Sequence, residues 1–202
     1  MPVPATQNPV KASLLNAGRE LLSQQGYHGT GIKAVLDRVG VPKGSFYHYF
    51  PSKEAFTAAI IRDYSDWLLG LMDMALARQG TSPRERIRQL YRQMIAEFER
   101  HDCVQGCLLG NLAAEIGAAS PDCRQALNDA YNRWQNRFTE LVAEGQAQDQ
   151  FRQDLSPESI SILFWNHWEG AILRMKLLGN SDSLHQTLDQ LLDRLLAPSN
   201  SQ

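Results

Sequence analysis

The chain has 202 residues, 43% of them hydrophobic and 21% charged, with a formal net charge of −2, a length that fits one large domain or a small one joined to a medium one. No apolar run approaches the roughly 18–20 residues of a membrane span. The opening MPVPATQNPVKA lacks a charged segment followed by an apolar stretch, so neither a membrane protein nor a secretory leader is expected and a cytoplasmic location follows by default.

Residues 1–9 read as a disordered lead. Leu14, Ala17, Gly18, Leu21 and Leu22 share one face of a first helix that ends near Gly26. Ile32, Val35, Leu36 and Val39 repeat the stripe in a short second helix, with Thr30 as its N-cap and Gly40 just past its end. Pro42 cannot continue that helix and suits the first turn of a third, about Lys43 to Tyr49. Ser52 caps a long fourth helix with Glu54 in its first turn, running to about Arg78. GTSP at 80–83 is a loop that restarts a helix, in which Ile87, Leu90, Tyr91, Met94, Ile95 and Phe98 form one face. A break near Asp102–Gly106 precedes a short helix from Cys107 to Gly117. Pro121 opens a helix reaching about Gln146, Ser156-Pro157 opens the next, and 182–196 forms the last. No β-alternation of useful length, internal repeat or low-complexity tract interrupts this pattern. The expected fold class is all-α, with about nine helices.

Charge is unevenly spread. Residues 1–50 hold five Lys/Arg and two Asp/Glu, whereas the remainder holds 15 basic and 20 acidic residues, which suits a phosphate-seeking head on an acidic body. Within the head, Gly40 separates the second helix from the third by the short turn of a helix-turn-helix, whose second helix enters the major groove of DNA. Lys43 opens that helix, followed by Gly44 and Ser45, small enough for close approach to DNA. Phe46 and Phe50 are spaced as core, whereas Tyr47, His48 and Tyr49 are consecutive and cannot all face inward. Their polar-tipped rings suit phosphate, sugar and thymine methyl contacts, and Lys53 is placed to reach a backbone phosphate.

GVPKGSFYHYFPSKEAF resembles the DNA-binding signature of the TetR/AcrR family of bacterial transcriptional regulators, over roughly Leu14 to Ile60. The resemblance implies recognition-helix contacts from Lys43, Gly44, Ser45, Tyr47 and His48, phosphate anchors at Tyr49 and Lys53, and a Thr30 cap beside the backbone. Gly31 stands where many members have a second threonine. It further implies a helix-turn-helix domain over 10–51, a ligand-binding and dimerisation domain over 52–197, and a tail at 198–202. Partners are then a palindromic double-stranded DNA operator, a small-molecule inducer and a second copy of the chain. Such regulatory domains pair through their last two helices. Ile160, Leu163, Phe164, His167 and Ala171 are expected at that interface, with Gly170 allowing close approach.

FWNHWEG at 164–170 is rich in rings with polar neighbours, and small-molecule sites are mostly apolar with a few placed polar groups. Tyr91, Phe98, Cys107, Asn111, Trp134, Trp165 and Trp168 are the expected lining. Three cysteines without an export signal argue against a disulfide framework. Cys103 and Cys107 flank Gly106 near a helix start, where a thiol's pKa is lowered, so both are candidates for sensing oxidants or electrophiles, Cys107 the better placed. GCLLGNLAAE and FWNHWEGAILRMKL resemble a branch responding to reactive electrophiles and acrylate-like acids. His101, Cys103 and Cys107 lack a fourth ligand for zinc, so no metal or cofactor is expected. An enzyme has no motif in its favour: no nucleophile elbow, no Gly-rich phosphate loop and no paired carboxylates. A helical interaction protein without DNA binding is the other alternative.

Overall fold

The computed structural model describes residues 8–198. Residues 1–7 of the expected lead and 199–202 of the expected tail lie outside the described residues. Among the described residues nine α-helices follow in order: α1 (Pro9–Gly29), α2 (Ile32–Val39), α3 (Lys43–Tyr49), α4 (Lys53–Leu76), α5 (Pro83–Arg100), α6 (Leu108–Ile116), α7 (Pro121–Ala147), α8 (Pro157–Leu178) and α9 (Asp182–Gln190). A π-helical turn, Leu191–Leu195, follows α9. The described residues contain no strand.

The helix starts are written locally. Asn8 accepts from the Val10 N–H at 3.0 Å, Ser52 from Ala55 at 3.0 Å, Ser82 from Glu85 at 3.2 Å and Ser156 from Ser159 at 3.2 Å. Each satisfies a backbone donor that the first turn leaves without a partner. Pro83 and Pro157 follow their caps at positions where a missing N–H costs nothing.

The chain forms two compact units. The first runs to Asp66 and takes in Cys107–Ala130; the second is Trp67–Gly106 with Tyr131 onward. The first is therefore larger than the 10–51 segment expected from the sequence, because the first turns of α4, all of α6 and the start of α7 pack within it. In this unit α1 lies on α2 and α6. Phe46, Phe50 and Phe56 form its aromatic centre, with centroids 5.5, 5.0 and 4.8 Å apart. Each buried ring contributes about 1.5–3 kcal/mol. Gly18 lets α1 and α4 approach, since a Cβ there would fall 2.4 Å from the Phe56 ring.

In the second unit α8 packs on α9 and α5 on α9. Arg88 of α5 bonds Asp189 at 2.8 Å and Asp193 at 2.6 Å. A continuous last helix over 182–196 was expected. The observed π turn closes with Leu196 N–H on the Leu191 carbonyl at 2.8 Å. The wider turn allows Leu191, Leu192 and Leu196 all to be buried, and Arg84 holds its Leu192 carbonyl at 2.6 Å.

Candidate functional site

α2 ends at Gly40, whose φ of 73° and ψ of 31° are left-handed, the geometry glycine adopts at least cost. α3 begins three residues later. Phe46 and Phe50 are buried and fix the face that α3 turns inward. Lys43, Gly44 and His48 are exposed, Tyr47 is 46% exposed, and Ser45 and Tyr49 are half-buried. Lys43 Nζ stands 5.7 Å from the Tyr47 ring centroid. A Cβ on Gly44 would meet nothing within 4 Å, so the chain's own packing does not require a glycine there.

The turn between α1 and α2 binds three elements together. Gly26 is the non-helical residue inside α1, with φ 70° and ψ −179°, a region open essentially to glycine alone. The Tyr27 and His28 N–H groups donate to Glu115 Oε2 of α6 at 2.8 and 3.3 Å. Lys53 Nζ of α4 donates to the Tyr27 carbonyl at 2.6 Å and lies 4.0 Å from the Tyr27 ring centroid. The Tyr27 hydroxyl donates to Glu54 at 3.0 Å. Burial, then the Glu54 hydrogen bond and charge, push the Tyr27 pKa up to about 12, whereas burial lowers that of Lys53.

Two expectations about this turn need correction. Thr30 does not cap α2: its N-cap is Gly31, without a side-chain bond. Thr30 is only 3% exposed, and its hydroxyl donates to the Gly26 carbonyl at 2.7 Å, because the unusual turn leaves that carbonyl in reach. Lys53 is half-buried and engaged with Tyr27, not extended into solvent. Glu115, Tyr27 and Glu54 had no assigned place in the site. Their partners lie up to 88 residues away in sequence, where no local pattern reaches.

The cysteines separate. Cys103 sits at the C-terminal end of α5, its N–H on the Phe98 carbonyl at 2.9 Å and its φ at 56°. It is therefore not at a helix start. Burial and the nearby Glu99 and Asp102 carboxylates push its thiol pKa up, the reverse of the expected lowering. His101 pairs with Glu97 at 3.3 Å. Cys107 is buried and is the N-cap residue of α6, with no side-chain cap bond; Asn111 lies one turn further along α6. Cys123 is buried, with Sγ 3.5 Å from the Glu54 carbonyl.

Of the expected ligand lining, Tyr91, Phe98, Trp134, Trp165 and Trp168 belong to the second unit, whereas Cys107 and Asn111 belong to the first. Tyr91 meets Trp168 at 4.6 Å and Phe164 at 4.7 Å. Trp134 stacks on Phe138 at 4.8 Å and meets Trp165 at 4.6 Å. Phe98 is buried in the same unit. Trp168 is buried, yet its Nε1–H has no hydrogen-bond partner among the described residues.

Three of the five residues of the expected α8 interface set also need correction. Ile160, Phe164 and Ala171 are buried within the protomer, and Phe164 belongs to the ring cluster. Leu163 is half-buried, and the exposed His167 bonds the carbonyl of Leu163 on its own helix at 2.8 Å. The apolar side chains left outside are Ile162, Leu173, Leu177 and Leu178, with Leu173 70% and Leu177 83% exposed. Gly170 lies among them, with nothing within 4 Å of a Cβ position.

A short helix with polar rings outward, held at a fixed turn behind a second helix, is how helix-turn-helix regulators present a reading helix to duplex DNA; the fold places the chain in that class. Residues 14–60 match the model of the tetR family of bacterial regulatory proteins, and residues 83–191 match the tetracyclin repressor-like C-terminal domain. The chain belongs to the TetR family. It is 40% identical over 173 residues to the transcriptional regulator AcuR of Cereibacter sphaeroides, covering 86% of this chain and 79% of that protein. It is 30% identical to the repressor DhaR of a Mycobacterium species, covering 94% of each. Among solved structures, a regulatory protein TetR from Rhodobacter sphaeroides superposes with TM-score 0.87 at 38% identity, covering 92% of this chain and 98% of that one. Escherichia coli NemR in its reduced form gives TM-score 0.85 at 27% identity, covering 96% and 100%. These relatives are regulators, not enzymes, and the protein is a DNA-binding transcriptional repressor of this family. None of its described helices is long and apolar enough to cross a membrane.

Proposed function

We propose that the protein represses as a homodimer on a palindromic operator and releases it when a small molecule or a cysteine-reactive electrophile acts on its body. The observation that carries this reading is α6. Its N-cap residue is Cys107, at the helix end that favours negative charge, and two turns later its Glu115 grips the turn that feeds the helix-turn-helix. A modification or ligand that shifts α6 thereby reaches α2 and α3 through one carboxylate. That a solved relative is described as a reduced form supports a thiol readout.

The unmatched Trp168 Nε1–H offers a hydrogen bond to an acceptor on a ligand among the rings. The outward Ile162, Leu173 and Leu177 of α8 supply an apolar face for a second copy. Lys43, Tyr47 and His48 are the base-facing candidates, and Tyr49 the phosphate contact, on each of two heads set about one helical turn of DNA apart. The effector acts only through unequal affinity for two poses: a hundredfold preference for the released pose is about 2.7 kcal/mol.

Fluorescence anisotropy on the DNA upstream of the gene, with and without a small electrophile such as N-ethylmaleimide, tests this. Wild type and Cys103→Ser are expected to release, and Cys107→Ser to stay bound. Release by Cys107→Ser that matches wild type ends the thiol role.

A further inference from the structure

α2 is the first helix of the helix-turn-helix, the one that crosses the phosphate backbone while the second enters the groove. Its buried residues are Val35 and Leu36, and its charged side chains, Lys33, Asp37 and Arg38, are all exposed. Both cations of α2 are nonetheless engaged by an acid. Arg38 leans onto Glu20 of α1. Lys33 comes five residues earlier, about 140° round the helix, and donates instead to Asp37 of its own helix at 2.7 Å.

The Lys33–Asp37 pair is poorly arranged as a helix staple. The lysine stands in the first turn of α2, which carries no acid, and the aspartate stands in the last turn. The helix dipole favours the reverse at both ends, and an i,i+4 pair is weaker with its cation on the N-terminal side. The two side chains are 88% and 63% exposed, where an ion pair adds little. A local rule broken with no gain in stability points to function. On the helix that crosses the backbone, a lysine suits a phosphate, and an acid beside it opposes one.

We propose that Asp37 restrains DNA binding by competing with backbone phosphate for Lys33. In the free protein Asp37 holds the ammonium group. On DNA the lysine turns to a phosphate oxygen, and Asp37 stays beside it as a like charge. Asp37 is thus a positioning residue that acts through Lys33. Phosphate contacts carry no sequence information, so the restraint lowers affinity for every duplex by the same factor and leaves the choice of sequence to α3. An effector then has less binding to overcome.

Fluorescence anisotropy of the full-length protein tests this on two duplexes, the DNA upstream of the gene and a shuffled sequence of the same length. Asp37→Asn is expected to tighten both by about tenfold at about 50 mM salt, a gain that shrinks as salt rises, because each added phosphate contact steepens the slope of log affinity against log salt by about one. Lys33→Gln should weaken both duplexes alike and make the slope shallower. In that background Asp37→Asn should gain less than about threefold. Asp149→Asn makes the same change in net charge on an exposed residue of the second unit, whose left-handed backbone asparagine also adopts; it should leave affinity unchanged. Thermal unfolding checks that the fold persists, and if the asparagine variant unfolds, Asp37→Ala, with the best helix former, decides. A pair that only staples α2 gives the opposite sign, weaker binding with the slope unchanged. Unchanged or weaker binding by the Asp37 variant, an equal gain without Lys33, or an equal gain from Asp149→Asn overturns the proposal. The shuffled duplex needs no operator, so failure to prefer the upstream DNA would count against the repression reading and leave this test intact.

Discussion

Replacing Glu115 by alanine removes the carboxylate that α6 offers to the turn after α1. Tyr27 is buried, and its N–H reaches that carboxylate at 2.8 Å. A hydrogen bond to a charged group contributes about 1.5–3 kcal/mol, and a buried donor left without a partner carries its desolvation cost as well. The His28 bond is longer, 3.3 Å, and exposed, and adds about 0.5 kcal/mol at most. Glu115→Ala should therefore lower unfolding free energy by about 2–3 kcal/mol, and Glu115→Gln, which keeps an acceptor, by about 1 kcal/mol. Gly26 supplies the internal control. Alanine at its φ of 70° and ψ of −179° is strained by about 1–3 kcal/mol, and its Cβ would lie 2.4 Å from Glu115 Oε1. The carboxylate can swing clear only by giving up Tyr27. The two substitutions thus share a cost, and the double variant should be more stable than their sum predicts by about 1–2 kcal/mol. Urea unfolding by circular dichroism gives all four corners of the cycle, and hydrogen exchange at Tyr27 reports the turn directly. Strict additivity, with less than about 0.5 kcal/mol lost in Glu115→Ala, would refute the clamp.

Three further outcomes follow from the geometry. The folded-state pKa of Tyr27, about 12, lies above its unfolded value, so the folded protein holds this proton more tightly. The associated stability is complete below about pH 10 and is lost, to the extent of about 2–3 kcal/mol, as pH rises toward 12; Tyr27→Phe should remove this alkaline limb from urea unfolding. Lys43→Ala should weaken operator binding about tenfold and reduce the slope of log affinity against log salt by about one, with dimerisation unchanged by sedimentation. Leu173→Glu with Leu177→Glu should yield a folded monomer in sedimentation velocity that binds the operator at least about a hundredfold more weakly; a surviving dimer would place the interface elsewhere.

What was legible in the sequence was what contiguous residues encode. Ser-Pro openers, the glycine after α2 and the Phe46–Phe50 spacing each specify their own neighbourhood, and the structure has the corresponding caps, left-handed turn and buried rings. What failed depended on distant partners. α8 is apolar on two faces, one carrying Ile160, Phe164 and Ala171 and the other Ile162, Leu173 and Leu177. Periodicity shows that both are apolar but not which one the protomer's own core takes. Thr30 has the chemistry of an N-cap, but the carbonyl freed at Gly26 captures its hydroxyl. Cys103 and Cys107 are neighbours in sequence, yet left-handed backbone at Asp102 and Cys103 leaves one thiol closing a helix and the other opening the next.

The outward leucines of α8 bear on how the cell sets the level of repression. On the proposed reading, a protomer carrying Leu173 and Leu177 in water gains by pairing, and only the pair spans an operator. Where pairing is weak, halving the amount of protein cuts the assembled form about fourfold. Gene dosage and dilution at cell division then act on transcription as a square, giving a threshold response before any effector arrives.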